Sequence, residues 1–195
     1  MKRISGIDFV RGAVMIIMAL DHTRDMMHVT SLTQSPTDLA TTTPILFFTR
    51  WITHFCAPTF VFLAGLSAFL SFKNKNDVAA SSRFLLSRGI WLIILEFTVV
   101  NFGIFFDIHF NNFIFEVIAA IGFGFVMLSL LLKVPAKTIG IIGLLIIFCH
   151  ELFSLIPLRD GSLIKTILSP LFVPGGFPIT SKITFLIAYP PIPWL

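Results

Sequence analysis

Five stretches of this sequence, residues 5 to 22, 46 to 72, 84 to 106, 113 to 132 and 138 to 157, are apolar over about the length that crosses a bilayer. That leaves few folds open. A spanning helix needs roughly 20 mostly apolar residues. Hydrocarbon offers the backbone no hydrogen-bond partner, so a spanning segment must satisfy its own N–H and C=O groups, as a helix does. A sixth segment begins near Thr184 and stops at Leu195. With 56% of its residues hydrophobic and 12% charged, the chain is far more apolar than a soluble domain can hide inside itself. The expectation is an all-α, polytopic transmembrane helix bundle of about five spans plus the start of a sixth. Residues 1–195 then form one multi-pass domain in the cell membrane, with the lipid bilayer as partner.

Several other readings fail on chemistry. Met-Lys-Arg before an apolar run resembles a secretory signal, but Arg11 interrupts the run and "LDHTRD" supplies no small-residue cleavage site. Cys56 and Cys149 both fall inside expected spans, which fits packing and gives no support to a disulfide framework or a metal site. The net charge of +4 comes from basic residues in short loops beside the spans, not from one continuous face, so nucleic acid is not an expected partner. Those residues orient the chain instead. The N-terminus and the loops at 73–83 and 133–137, with their margins, carry eight Lys or Arg, against five in the much longer connections on the other side. A Lys/Arg excess close to span ends marks the cytoplasmic face, which places the N-terminus in the cytoplasm.

Ionisable side chains inside a span are costly and usually turned inward, so their depth is informative. In this orientation Asp21 and His22 lie at the outer end of the first span, and Arg50 and His54 at the outer end of the second. Glu116 enters the fourth from outside, and His150 and Glu151 sit in the outer half of the fifth. A deeper layer holds Asp8, Arg11 and Glu96. At 100° per residue, Asp8, Arg11, Met15, Met18, His22 and Asp25 form one stripe of the first helix, and Asp21 points away from its centre. Arg11 and His22 stand roughly 16 Å apart along the axis at ~1.5 Å per residue, a spacing that suits two ends of an elongated ligand. Arg50, His54 and Pro58 share a face of the second span that continues into Val61, Gly65 and Ala68. Close helix packing and a proline kink account for the small-residue end. Structural alternatives stand beside the functional ones: Arg11 pairing with Asp8 or Glu96, Arg24 and Asp25 as a solvated helix end, and Glu116 with His150 and Glu151 as a clamp between helices.

Arg3, Ile4, Ile7, Asp8, Arg11, Gly12 and His22 together fit R-I-x-x-I/L-D-x-x-R-G followed by a histidine ten residues after the glycine. The pattern resembles the opening signature of the transmembrane acyltransferase superfamily. "IMALDHTRD", "TTTPILFFTRWITHFCAPTFVFLAGLSAFL", "RGIWLIILEFTVVNFG" and the final "YPPIPWL" resemble the bacterial branch grouped with the heparan-alpha-glucosaminide N-acetyltransferase catalytic domain. The resemblance implies an acetyl group, given by acetyl-CoA on the cytosolic side and passed to an amine or hydroxyl outside, in a small molecule or glycan acceptor. It places the base or acyl carrier on His22, with Asp21 or Glu151 orienting the ring. Arg11, with Asp8 and Arg50, falls on the donor-binding side, and no metal is implied. In the lysosomal enzyme of the family the active histidine lies between the first two spans, which leaves His28 and His54 as alternatives. Relatives of this branch are about twice as long, so the chain reads as the N-terminal part of a longer domain that completes the activity. A homo-oligomer is compatible with this reading. The rivals are a transporter or channel-like bundle and an inactive truncated relic.

Overall fold

The computed structural model describes residues 4–29, 34–75, 77–156 and 162–195. Lys2, Arg3 and Arg159, used above for charge and motif, lie outside them. The described chain is mostly helical. Three helices in it are long and apolar enough to cross a membrane, Pro44–Lys75, Val78–Phe105 and Ala136–Phe153, as befits a membrane protein. The chain divides into two compact units, Met1–Ser67 and Ala68–Leu195.

The first unit contains α1 (Ser5–Met27), α2 (Pro44–Thr53) and the beginning of α3 (Cys56–Lys75). Thr43 caps α2, its hydroxyl accepting from the Leu46 N–H, and Pro44 follows at the first helical position, where its missing N–H costs nothing. α2 and α3 are two parts of one apolar run broken at His54 and Phe55. Pro58 explains the break, because it has no N–H to offer the His54 carbonyl four residues back. α1 turns Val14 toward its neighbours, and the Cys56 Sγ lies 3.9 Å from the Val14 carbonyl oxygen.

In the second unit α4 (Val78–Leu95) starts on Asp77, whose carboxylate accepts from the Ala80 N–H. It continues through a π-helical turn, Glu96–Val100, into α5 (Asn101–Phe105). β1 (Asn112–Phe115), α6 (Val117–Leu131), α7 (Ala136–Cys149), a 3₁₀ turn (His150–Leu155), α8 (Leu163–Phe172), β2 (Gly175–Pro178) and β3 (Thr184–Ile187) follow. α4 and α6 touch backbone to backbone. A Cβ on Gly89 would lie 2.6 Å from the Gly122 carbonyl oxygen, and one on Gly122 would lie 2.8 Å from that of Gly89. Such small-residue contacts are how helices approach closely where lipid removes the hydrophobic drive to associate. Ser82 fastens the pair further along by donating to the Ser129 carbonyl at 3.0 Å.

Two expectations change here. The stretch from Thr184, read as the start of a sixth span, is strand β3 in a three-stranded sheet ordered β1-β3-β2, parallel to β1 and antiparallel to β2. The stretch 113 to 132, read as one span, begins as β1, so its helix covers only Val117–Leu131. The cause is the same in both: short runs of Phe, Ile and Leu suit a buried strand as well as a helix. The sheet sits on a small core of Phe115, Ala119, Ala120 and Ile187, covered by Phe97, Phe185, Tyr189 and Trp194.

Candidate functional site

The polar face of the first unit is an ion cluster centred on Asp21. Arg50 Nη1 donates to both carboxylate oxygens, at 3.1 and 2.9 Å, and the Thr53 hydroxyl donates to Oδ1 at 2.6 Å. Arg24 Nη2 also meets Oδ1, while the same guanidinium donates to Asp25 Oδ1 from Nη2 at 2.7 Å and from Nε at 3.1 Å. Two carboxylates balance two guanidiniums, so the cluster is neutral overall, and Thr53, Arg24 and Asp21 are largely covered. Fork-shaped guanidiniums on carboxylates give strong, directional bonds. Arg50 is held through one nitrogen only. Among the described residues its Nε and Nη2 make no hydrogen bond, and its side chain is 32% exposed, so donors remain for an anionic group.

Two expectations about α1 are corrected by this cluster. The stripe through Arg11 and His22 is not the packed face of α1; Asp21, which lies off the centre of that stripe, defines the packed face together with Val14. Arg24 is not a solvated helix end, since its side chain is 9% exposed between Asp21 and Asp25. His22 flanks the face, exposed, with no hydrogen bond to its ring among the described residues. Asp21 is therefore committed to arginine and threonine and does not orient the His22 ring. His54 ends α2, also exposed and with an unbonded ring, and His28 caps the end of α1 through its backbone N–H. Deeper on α1, Arg11 lies 3.7 Å from Asp8 and donates from Nη2 to the Ser67 hydroxyl on α3 at 3.0 Å. The pairing with Asp8 is thus present.

Glu96 is fully buried in the second unit. Its Oε1 accepts from the Glu116 N–H at 2.9 Å, at the N-terminus of α6, where backbone donors lack intrahelical acceptors and a negative group is favoured. Glu96 and Glu116 are therefore brought together, but through the backbone of Glu116. Asn101 completes the arrangement. Its side-chain amide donates to the Asn112 carbonyl and accepts from the Ile114 N–H, both at 3.0 Å, so that it pairs with the free edge of β1 as another strand would. The π-turn makes this possible, because hydrogen bonds from i to i+5 stack residues five apart, and Glu96 and Asn101 both face inward. His150 and Glu151 pair with each other at the end of α7, Nε2 to Oε1 at 3.4 Å, with His150 Nδ1 2.9 Å from the Ile147 carbonyl oxygen.

Thr53, Ser67 and Asn101 escaped the sequence reading. Thr53 had a signal, standing one helical turn after Arg50 where its hydroxyl reaches the same carboxylate. Asn101 had none, since only the π-turn brings it inward. Among the described residues no three His, Cys, Asp or Glu side chains gather as a metal site would require. Comparison with curated proteins gave no match, and neither did comparison with solved structures. Residues 3–195 match the family model described as heparan-alpha-glucosaminide N-acetyltransferase, catalytic. Since that match takes in all but the first two residues, the chain belongs to this catalytic-domain family.

Proposed function

We propose that the chain is a multi-pass membrane acyltransferase that moves acetyl from acetyl-CoA to an amine or hydroxyl of a sugar-like acceptor, on the side of the membrane away from its N-terminus. The family supports acyl transfer. The observation that carries the site is the α1–α2 cluster, in which Asp21 anchors Arg50 by one nitrogen and leaves the other donors open, next to an uncovered His22. Five spans are part of the reading, with α1 and α6 crossing alongside the three long helices and the N-terminus in the cytoplasm. The charges of α1 are compatible with a span because Arg11, Asp21 and Arg24 are satisfied on its inward face.

In the reaction, the acceptor nitrogen or oxygen attacks the thioester carbonyl while the His22 imidazole takes its proton. The C–S bond breaks, and the departing thiolate recovers the proton to become the thiol. Imidazole suits the task because its ordinary pKa of ~6.5 lets it accept and return a proton near neutral pH. In the variant with an acyl carrier, the same ring accepts the acetyl group first and hands it on. Arg11, with Asp8 beside it, and Arg50 are placed along α1 and α2 to hold the donor's phosphates and carbonyl oxygens.

Transfer of label from acetyl-CoA in membranes, with expression checked for each variant, tests the reading. His22→Ala should insert normally and lose transfer. Full activity in His22→Ala with loss in His54→Ala or His28→Ala would move the base to the α2 side. Full activity in all three would remove histidine catalysis and favour a bundle that handles protons or ions, the second reading that the buried Glu96 supports.

A further inference from the structure

α8 is amphipathic in the reverse sense of a helix on a soluble protein. Its uncovered residues Leu163, Ile164 and Ile167, at 79%, 60% and 66% exposure, stand at helical spacing on one face. Lys165 and Ser169 instead line a groove between α8, the 3₁₀ turn and β2. Ten residues rise roughly 15 Å at ~1.5 Å each, half of what a crossing needs. Its depth is fixed by Phe172, whose ring stacks on Phe153 at a centroid distance of 4.5 Å. Phe153 is the last residue of the apolar helix Ala136–Phe153, none of which is buried by the described residues. Lys165 and Ser169 share the groove with Phe153 and Ile156, so α8 is held at the level where a spanning helix ends, with its aliphatic face turned away from the groove and uncovered.

We propose that α8 lies in the bilayer interface, with Leu163, Ile164 and Ile167 in the acyl-chain boundary and the Lys165–Ser169 side toward the groove. A water-facing position would leave three large aliphatic side chains solvated, and a deeper one would place unmet backbone groups in hydrocarbon. Pro170 lacks the N–H that would bond the Thr166 carbonyl, which suits a depth where headgroup water reaches the backbone. The occupant of this face is lipid.

The test uses the full chain in phosphatidylcholine vesicles, in a Cys149→Ser background, with an environment-sensitive fluorophore on Leu163→Cys or, separately, Ile167→Cys. Ser181→Cys, in the polar turn between β2 and β3, is the aqueous reference. Cys56 is 5% exposed, so its labelling reports any misfolded fraction. The expected result is loss of emission at 163 and 167 under shallow-brominated lipid with little loss under iodide, and the reverse at 181. Iodide quenching at 163 and 167 equal to that at 181 would overturn the proposal by placing the face in water. Protection from both quenchers, with energy transfer between labelled copies that falls on dilution into excess lipid, would overturn it by placing a second chain there.

Discussion

The α1–α2 face and the α4–α6 pair solve the same problem, holding apolar helices together, by opposite means. α1 and α2 are joined by charge: one carboxylate gathers two guanidiniums and a hydroxyl, and the groups around it, His22, His54 and part of Arg50, stay uncovered. α4 and α6 are joined by closeness: Gly89 meets Gly122, Ser82 reaches Ser129, and the polar residues Glu96 and Asn101 are buried against backbone groups. The first arrangement leaves donors and rings available to a ligand. The second closes its polar groups off from outside, with Glu96 fully buried, and fixes the strand edge and the α6 N-terminus. The proposed function therefore assigns chemistry to the first region and rigidity to the second.

The strongest way to break this comparison is to force the glycine contact apart. Gly89→Leu should cost about 3 kcal/mol or more, because added atoms meet the Gly122 carbonyl oxygen and the Val126 backbone nitrogen as well as a Val126 methyl, and the backbone cannot give way cheaply. Thermal unfolding in detergent should show the loss, and an unchanged midpoint would mean that the helices do not rely on this approach. Asp21→Ala comes next, at about 2 kcal/mol, below the cost of breaking a fully buried pair because Arg50 is partly exposed. Proteolysis between α1 and α2 would report it. Asp21→Asn should recover less than half of the loss, since the amide keeps the size but not the charge.

How much of this was readable beforehand depended on which residues carried a signal. Charge inside an apolar helix is conspicuous, so the residues that the structure pairs or buries, Arg11, Asp21, Arg50 and Glu96, all stood out in the sequence. The phase of α1 did not. Centring its stripe on Arg11 favours His22, whereas the inward face is centred on Val14 and Asp21. Valine gives no indication of which way it faces in a membrane protein, because it packs equally well against lipid or helix. The π-turn was invisible for another reason: Glu-Phe-Thr-Val-Val reads as uninterrupted helix, and only tertiary pairing with β1 and α6 favours the wider turn. The sheet was missed because its strands are four residues each, too short for alternation to show.

Smaller effects sharpen the contrast. Asn101→Leu should cost about 2 kcal/mol, as it strands the Asn112 carbonyl and the Ile114 N–H at a covered edge. Amide exchange at Ile114 should quicken in parallel, and unaltered exchange would mean that the strand edge is satisfied without Asn101. Ser82→Ala removes one helix-to-helix bond, worth about 1 kcal/mol, and should lower the unfolding midpoint slightly.

The division between chemistry and rigidity is tested most directly by measuring acetyl transfer and folded fraction side by side in membranes for wild type, His22→Ala and Gly89→Leu. His22→Ala should keep the wild-type folded fraction and lose about 10²-fold to 10⁴-fold in transfer rate, the range of a removed general base. Gly89→Leu should lose folded protein, with the remaining fraction active per molecule. Wild-type transfer by His22→Ala, or a normally folded Gly89→Leu without activity, would contradict that division.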